Sequence, residues 1–131
     1  MTCRIHPQTG QPLRRDTRPI TVRVGPFTED VMVGGWYPEG EGDAIHMGAD
    51  LAAFEEARKR LRERYAAYLR ESRKRWRLTQ EQAGRLIGGG KRAFQKYETG
   101  KALPTDAAVG LIELLNADEE NLERLRRIRA A

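Results

Sequence analysis

Lys91, Arg92, Gln95 and Lys96 are the side chains here whose types and spacing best suit chemistry. They are three cations and an amide, set so that one helix face would carry them. Arginine offers a planar fork of N–H donors that fits O6 and N7 of guanine, and lysine can donate to the same pair. The first outward positions of a recognition helix are those that reach base edges. Arg92 holds such a position, and Lys96 follows four residues later on the same face. Lys91 and Gln95 flank them, within reach of phosphates or neighbouring bases. Gln80 can donate to a phosphate beside backbone N–H groups at a helix start, and Arg85 and Lys101 are further phosphate contacts.

A second constellation is smaller. Cys3 and His6 have the C-x-x-H spacing of half a zinc site, whereas a structural site takes four ligands, usually as two pairs. Cys3 is the single cysteine, so the chain forms no internal disulfide and suits a reducing, cytoplasmic location. Nothing resembles a catalytic set. The Gly88-Gly89-Gly90 run lacks the Lys-Ser/Thr that follows in a phosphate-binding loop. His6 and His46 are the only histidines, and no nucleophile stands at usable spacing from a base and an orienting group. The expectation is a protein that is not an enzyme and carries no cofactor.

The cations need a scaffold, and the stretch from Leu78 to Pro104 supplies one. Thr79 and Gln82 make a capping box. Ala83, Leu86 and Ile87 form the apolar stripe of a first short helix, which the three glycines end. A second helix runs over Lys91–Thr99, with Ala93, Phe94 and Tyr97 inward and the basic residues outward. Gly100 ends it. Two short helices, a tight glycine turn and a basic outer face are what a helix-turn-helix requires. An ordinary helical hairpin with a solvated basic face is the alternative. Trp76, Phe94 and Tyr97 read as core residues and not as platforms for bases.

The pattern L-T-Q-x-x-A-x-x-I-G, then a basic helix, then Y-E-x-G-x-x-x-P resembles the Xre/Cro-type helix-turn-helix. The triple glycine followed by x-x-A-F-x-x-Y-E-x-G is similar to the narrower MqsA family of antitoxins from bacterial toxin–antitoxin modules. The resemblance spans residues 72–131 and extends in weaker form over residues 1–50. It implies a homodimer that binds a palindromic operator in double-stranded DNA and represses its own operon. It also implies a cognate toxin bound through residues 1–49. In the family, positions 92 and 96 read bases and are commonly Asn and Arg. Here Arg and Lys stand there, so the base sequence read would differ. The family's N-terminal zinc takes a second ligand pair from a C-x-x-C after a hairpin. Aligned on Tyr37, those positions are Pro38 and Glu41, and proline cannot bind a metal. One reading replaces the site with Cys3, His6, Glu41 or Asp43, and His46. The other leaves Cys3 and His6 as surface residues. A transcriptional repressor without a toxin is the second functional reading.

The chain has 131 residues and a formal net charge of +5. Residues 1–50 hold 5 basic and 7 acidic side chains, and residues 51–131 hold 19 and 12. An anion-binding C-terminal part and a different role for the N-terminal part follow. No apolar run approaches the ~18 residues of a membrane span, so a membrane partner is not expected. The expected fold is mainly α, with a small β-hairpin region over 1–49 and a five-helix helix-turn-helix domain over 50–131.

Along the chain, residues 1–17 read as polar and turn-rich. Ile20, Val22 and Val24, then Val31 and Val33, alternate as strands of a hairpin broken at Gly25-Pro26. Residues 39–49 read as a linker, and Asp50 as the N-cap of a helix over about 51–76. On that helix Glu55 with Lys59 and Glu56 with Arg60 suit i, i+4 pairing. The arginines of 70–75 are either a solvated face or phosphate contacts. Thr105 and Asp118 cap the last two helices. Leu111, Leu115 and Leu122 serve either a dimer interface or the core.

Overall fold

The structure is a computed structural model that describes residues 3–130. The strands are β1 (Cys3–Ile5), β2 (Pro12–Val24) and β3 (Phe27–Pro38). A 3-10 turn at Gly48–Leu51 leads into α1 (Ala52–Arg75), α2 (Gln80–Ile87), α3 (Ala93–Glu98), α4 (Asp106–Ala117) and α5 (Glu120–Ala130). The fold is therefore mainly helical, with five α-helices following a small sheet. The chain divides into two compact units. One holds the residues up to Arg23 with Thr28–Arg60, and the other holds Val24–Phe27 with the residues from Leu61 onward.

In the first unit the sheet has the order β1-β2-β3, one strand more than the expected hairpin. β1 pairs antiparallel with β2, setting Cys3 against Arg14 and Ile5 against Pro12. Residues 3–5 and 12–17 are thus strand, not turn. The alternation that would betray them is missing, because Arg14, Arg15, Asp16 and Thr17 are all exposed and Leu13 alone turns inward. Pro19 lies past the residues of β2 that pair with β1, so its missing N–H interrupts no β1–β2 hydrogen bond. Inward Val22 and Val33 and outward Thr21 and Asp30 follow the period of two, with Thr21 Oγ1 donating to Asp30 at 2.6 Å.

Asp50 does not cap α1. It belongs to the preceding 3-10 turn, where its carboxylate accepts the Met47 N–H at 2.9 Å. It also accepts both arms of the Arg15 guanidinium, Nη1 at 2.8 Å. Those hydrogen bonds, Arg15 first and the Met47 amide second, hold its carboxyl well below the ordinary carboxylate range. Arg60 reaches Glu29 at 3.1 Å instead of Glu56, and neither expected intrahelical pair on α1 forms among the described residues.

The core of the second unit gathers Leu61, Tyr65, Leu69, Trp76, Phe94, Ile112 and Leu115. Phe94 is fully buried, with Trp76 and Tyr97 edge-on at 6.5 and 5.6 Å. In the Gly25-Pro26 turn, Gly25 has φ 57°, and a Cβ there would press into the Tyr65 ring at 2.7 Å. Burial pushes the Tyr65 phenol well above its usual value. α1 and α4 are tied by Tyr68 donating to Glu113 at 2.9 Å, and by Asn116 donating to Tyr68 and Ser72, each at 2.9 Å.

α1 ends in a left-handed residue, Arg77 at φ 58°, with Leu78 N–H returning to the Arg73 carbonyl at 3.2 Å. Arginine tolerates that conformation at a cost that glycine avoids. Arg77→Gly is therefore expected to stabilise the chain by about 0.5–1 kcal/mol in urea unfolding, and a loss of stability would contradict this account of the helix end.

Candidate nucleic-acid interface

α2 opens with the capping box expected of it. Gln82 N–H donates to Thr79 Oγ1 at 3.1 Å, and Thr79 N–H to Gln82 Oε1 at 2.9 Å. Its inner face buries Ala83, Leu86 and Ile87, and Gly84 as well. The exit passes through Gly88, Gly89 and Gly90 at φ 121°, 89° and 90°, a run of positive φ that side-chain-bearing residues rarely sustain. The turn folds the backbone of Gly90 onto Gly84. A Cβ on Gly84 would overlap the Gly90 carbonyl oxygen, with the carbonyl carbon at 3.1 Å. At the same end of α2 the Leu86 carbonyl accepts from Arg129 Nε at 3.0 Å.

α3 is shorter than the expected Lys91–Thr99 helix. Lys91 and Arg92 lie in the turn, and the regular helix covers six residues from Ala93. Arg92 is the cap residue, at φ −103° and ψ −1°, and its carbonyl accepts the Lys96 N–H at 3.2 Å. The glycine turn leaves no room for an earlier start. Gly100 at φ 77° closes the far end, with Lys101 N–H returning to the Lys96 carbonyl at 2.9 Å.

Ala93 and Phe94 are buried and Tyr97 half-buried, while Lys91, Arg92, Gln95 and Lys96 are all exposed. Among the described residues none of Lys91, Arg92, Lys96 and Lys101 makes an ion pair. The turn, the short helix and the residue past its end thus present cations with no ion-pair partner among the described residues, beside the exposed Gln95 amide. Gln80 is half-buried in the first turn of α2. Arg85 is exposed but paired with Glu81 at 2.7 Å.

The arginines at the end of α1 are committed elsewhere. Glu98, at the end of α3, has a buried carboxylate. Arg73 grips it with both arms, Nε and Nη2 each at 2.9 Å, and Arg70 adds a third contact at 3.6 Å. Arg73 also donates to the Leu78 carbonyl at 3.1 Å. Arg75 donates to Asn116 at 2.8 Å. Arg73 is therefore held by a buried carboxylate and is no spare phosphate contact, while Arg70 and Arg75 remain exposed beside their partners. The Glu98 clamp and Gly84 are the positions that sequence reasoning missed. The only sign of the first was the Tyr97-Glu98 pair. Of the three leucines, Leu115 is buried in the core, and Leu111 and Leu122 are half-buried. Among the described residues the exposed large apolar side chains of the last two helices are Leu114 and Ile128, at 60 % and 65 %.

The possible metal donors do not converge. Cys3 is exposed, with Sγ 3.8 Å from the Arg4 carbonyl. His6 is buried, and its Nδ1 accepts the Gln8 and Thr9 N–H groups at 3.1 and 3.3 Å. It is a turn cap, not a leftover surface residue. His46 Nδ1 lies 2.8 Å from the Gly34 carbonyl. Glu41 and Asp43 are exposed. Among the described residues no three His, Cys, Asp or Glu side chains gather as a metal would require. The zinc that the family resemblance implies does not fit these residues.

Residues 30–126 match the family described as the antitoxin component of bacterial toxin–antitoxin system, MqsA. A stretch of 54 residues is 39 % identical to antitoxin MqsA of Escherichia coli (strain K12), covering 41 % of this chain and 41 % of that relative. The stretch therefore spans well under half the length of that relative. The family match, by contrast, runs from within β3 to within α5 and takes in α2, the glycine turn and α3. It covers well over half of the chain, and the chain belongs to the MqsA antitoxin family.

Proposed function

We propose that this protein is the antitoxin of a toxin–antitoxin pair, a sequence-specific DNA-binding protein that represses its own operon as a homodimer and neutralises a toxin through residues 1–49. α2, the glycine turn and α3 act as an Xre/Cro-type helix-turn-helix. The observation that carries this reading is the exposed basic face of Lys91 and Arg92 in the turn and Gln95 and Lys96 on α3, a helix fixed to α2 and α1 by buried contacts. Arg92 and Lys96 reach base edges and favour guanine, Lys91 and Gln95 take phosphates or neighbouring bases, and Gln80, Arg85 and Lys101 take phosphates. Two such helices in a dimer fit half-sites about one helical turn, or a multiple of it, apart.

Binding to the promoter fragment upstream of its own gene tests the DNA half. Arg92→Ala is expected to cost about 1–3 kcal/mol on that fragment and to relax preference at one base pair. Lys101→Ala is expected to weaken specific and scrambled DNA alike. Equal losses on both DNAs for Arg92→Ala would remove it as a base reader. Co-purification with the product of each adjacent gene tests the toxin half. A stoichiometric complex with a protein toxic on its own supports it. The departures from the family's ligand pattern at Pro38 and Glu41 favour a second reading, a repressor without a toxin. Promoter binding with no such complex would establish that one.

A further inference from the structure

In the first unit the turn after β1 and the loop after β3 are joined by side chains. The Gln11 amide lies between them. Its Nε2 donates to the Glu41 carbonyl at 3.4 Å, and a Cβ on Gly42 would overlap its Oε1. The first turn is closed by His6. Its N–H donates to the Gln11 carbonyl at 2.9 Å, and its carbonyl accepts the Gly10 N–H at 2.9 Å. With two N–H groups on Nδ1, the lone pair of that atom is already engaged. The loop after β3 is pinned by Trp36 and Ile45, which exchange backbone hydrogen bonds of 2.8 and 2.9 Å.

Arginines pack on the aromatic residues beside this joint. The guanidinium carbons of Arg4 and Arg15 lie 4.7 and 5.8 Å from the centre of the Trp36 ring, and that of Arg18 lies 4.6 Å from Tyr37. Arg18 also donates to the Pro38 carbonyl at 2.8 Å, and Arg15 is tied to Asp50. The Tyr37 hydroxyl donates to the Val33 carbonyl at 2.7 Å, and the ring meets His46 edge-on at 5.6 Å.

We propose that this unit folds without a metal ion. The joint that four ligands would make is made by His6 as a turn cap and by Arg4, Arg15 and Arg18 packed on Trp36 and Tyr37, with Arg15 anchored at Asp50, Arg18 at the Pro38 carbonyl, and the Gln11 Nε2 reaching the Glu41 carbonyl. Pro38 and Glu41 are then parts of a rebuilt joint, not gaps in an old one. The proposal is independent of DNA or toxin binding.

The test uses the purified full chain, with zinc content measured on the same sample. Amide hydrogen exchange of β2 and β3 is followed with and without a strong chelator. Zinc far below one per chain and exchange unchanged by chelation are expected. Trp36→Leu is expected to speed exchange of those strands about tenfold, in line with losing two cation–π contacts. Cys3→Ser should leave it unchanged. Should Trp36→Leu unfold the unit outright, Arg15→Lys keeps the charge but not the planar fork, and faster exchange in that variant supports the joint. Zinc near one per chain with exchange accelerated by chelation would overturn the proposal. So would damage from Cys3→Ser equal to that from Trp36→Leu, or unchanged exchange in Arg15→Lys and Trp36→Leu.

Discussion

Gly84→Ala is expected to destabilise the chain by about 3 kcal/mol, the upper end of what overpacking a core typically imposes. By helix propensity alone the change should help, since alanine is favoured over glycine by about 1 kcal/mol inside a helix. The backbone reverses the sign. The new methyl would overlap the Gly90 carbonyl, and backbone cannot swing aside as a flexible side chain can. Relief requires α2 and the glycine turn to separate, which displaces α3. On the proposed DNA-binding reading, affinity for the operator should therefore fall with stability, although Gly84 itself is buried. Gly110→Ala is the internal control. Gly110 lies in α4, and a Cβ there meets nothing within 4 Å. That variant should gain about 1 kcal/mol. Urea unfolding of the pair checks both signs, and equal stability of Gly84→Ala and the parent chain would refute the close approach.

Glu98→Ala is expected to cost about 3–5 kcal/mol, because removing one member of a buried pair leaves the other charged and unpartnered. Arg73 would lose both 2.9 Å contacts while remaining largely buried itself. Replacing both, as Glu98→Leu with Arg73→Met, should recover most of that loss, since a well-packed apolar pair avoids the desolvation of two charges. Arg70→Ala should cost under about 1 kcal/mol, because its side chain is half exposed and its contact longer. A double variant no more stable than Glu98→Ala would mean that the charges contribute more than closure of the core. On the proposed DNA-binding reading, recovery of stability without recovery of operator affinity would mark the pair as setting the angle of α3.

Much of the second unit was legible because its signals are local. Thr79 and Gln82 cap α2 from three residues apart, three glycines mark the turn, and Thr105 caps α4 by accepting from Ala108. Gly25-Pro26 marked the hairpin for the same reason. What stayed hidden depends on partners distant in sequence. Nothing near Glu98 says that Arg73 lies against it, nor does anything near Gly84 announce the Gly90 carbonyl. β1 and residues 14–17 of β2 lacked a pattern because every one of them is exposed and only Leu13 turns inward, so no alternation was required. Asp50 looked like a cap because it precedes an apolar helix, yet Arg15, far back in the chain, claims it. The basic residues of α3 were read correctly as outward-facing. The late start of the helix was not, because the glycine turn consumes Lys91 and Arg92.

The glycine turn has a consequence for how this protein can diverge. The residues that hold α3 in place, Gly84, the three glycines, Phe94 and Glu98, are not the residues it displays, Lys91, Arg92, Gln95 and Lys96. Spelling and grammar are written in separate letters. If the displayed face reads DNA as proposed, its residues can be rewritten one at a time, changing the target while the scaffold is left untouched. The displayed positions should therefore tolerate almost any polar residue with little loss of stability, and the scaffold positions almost none.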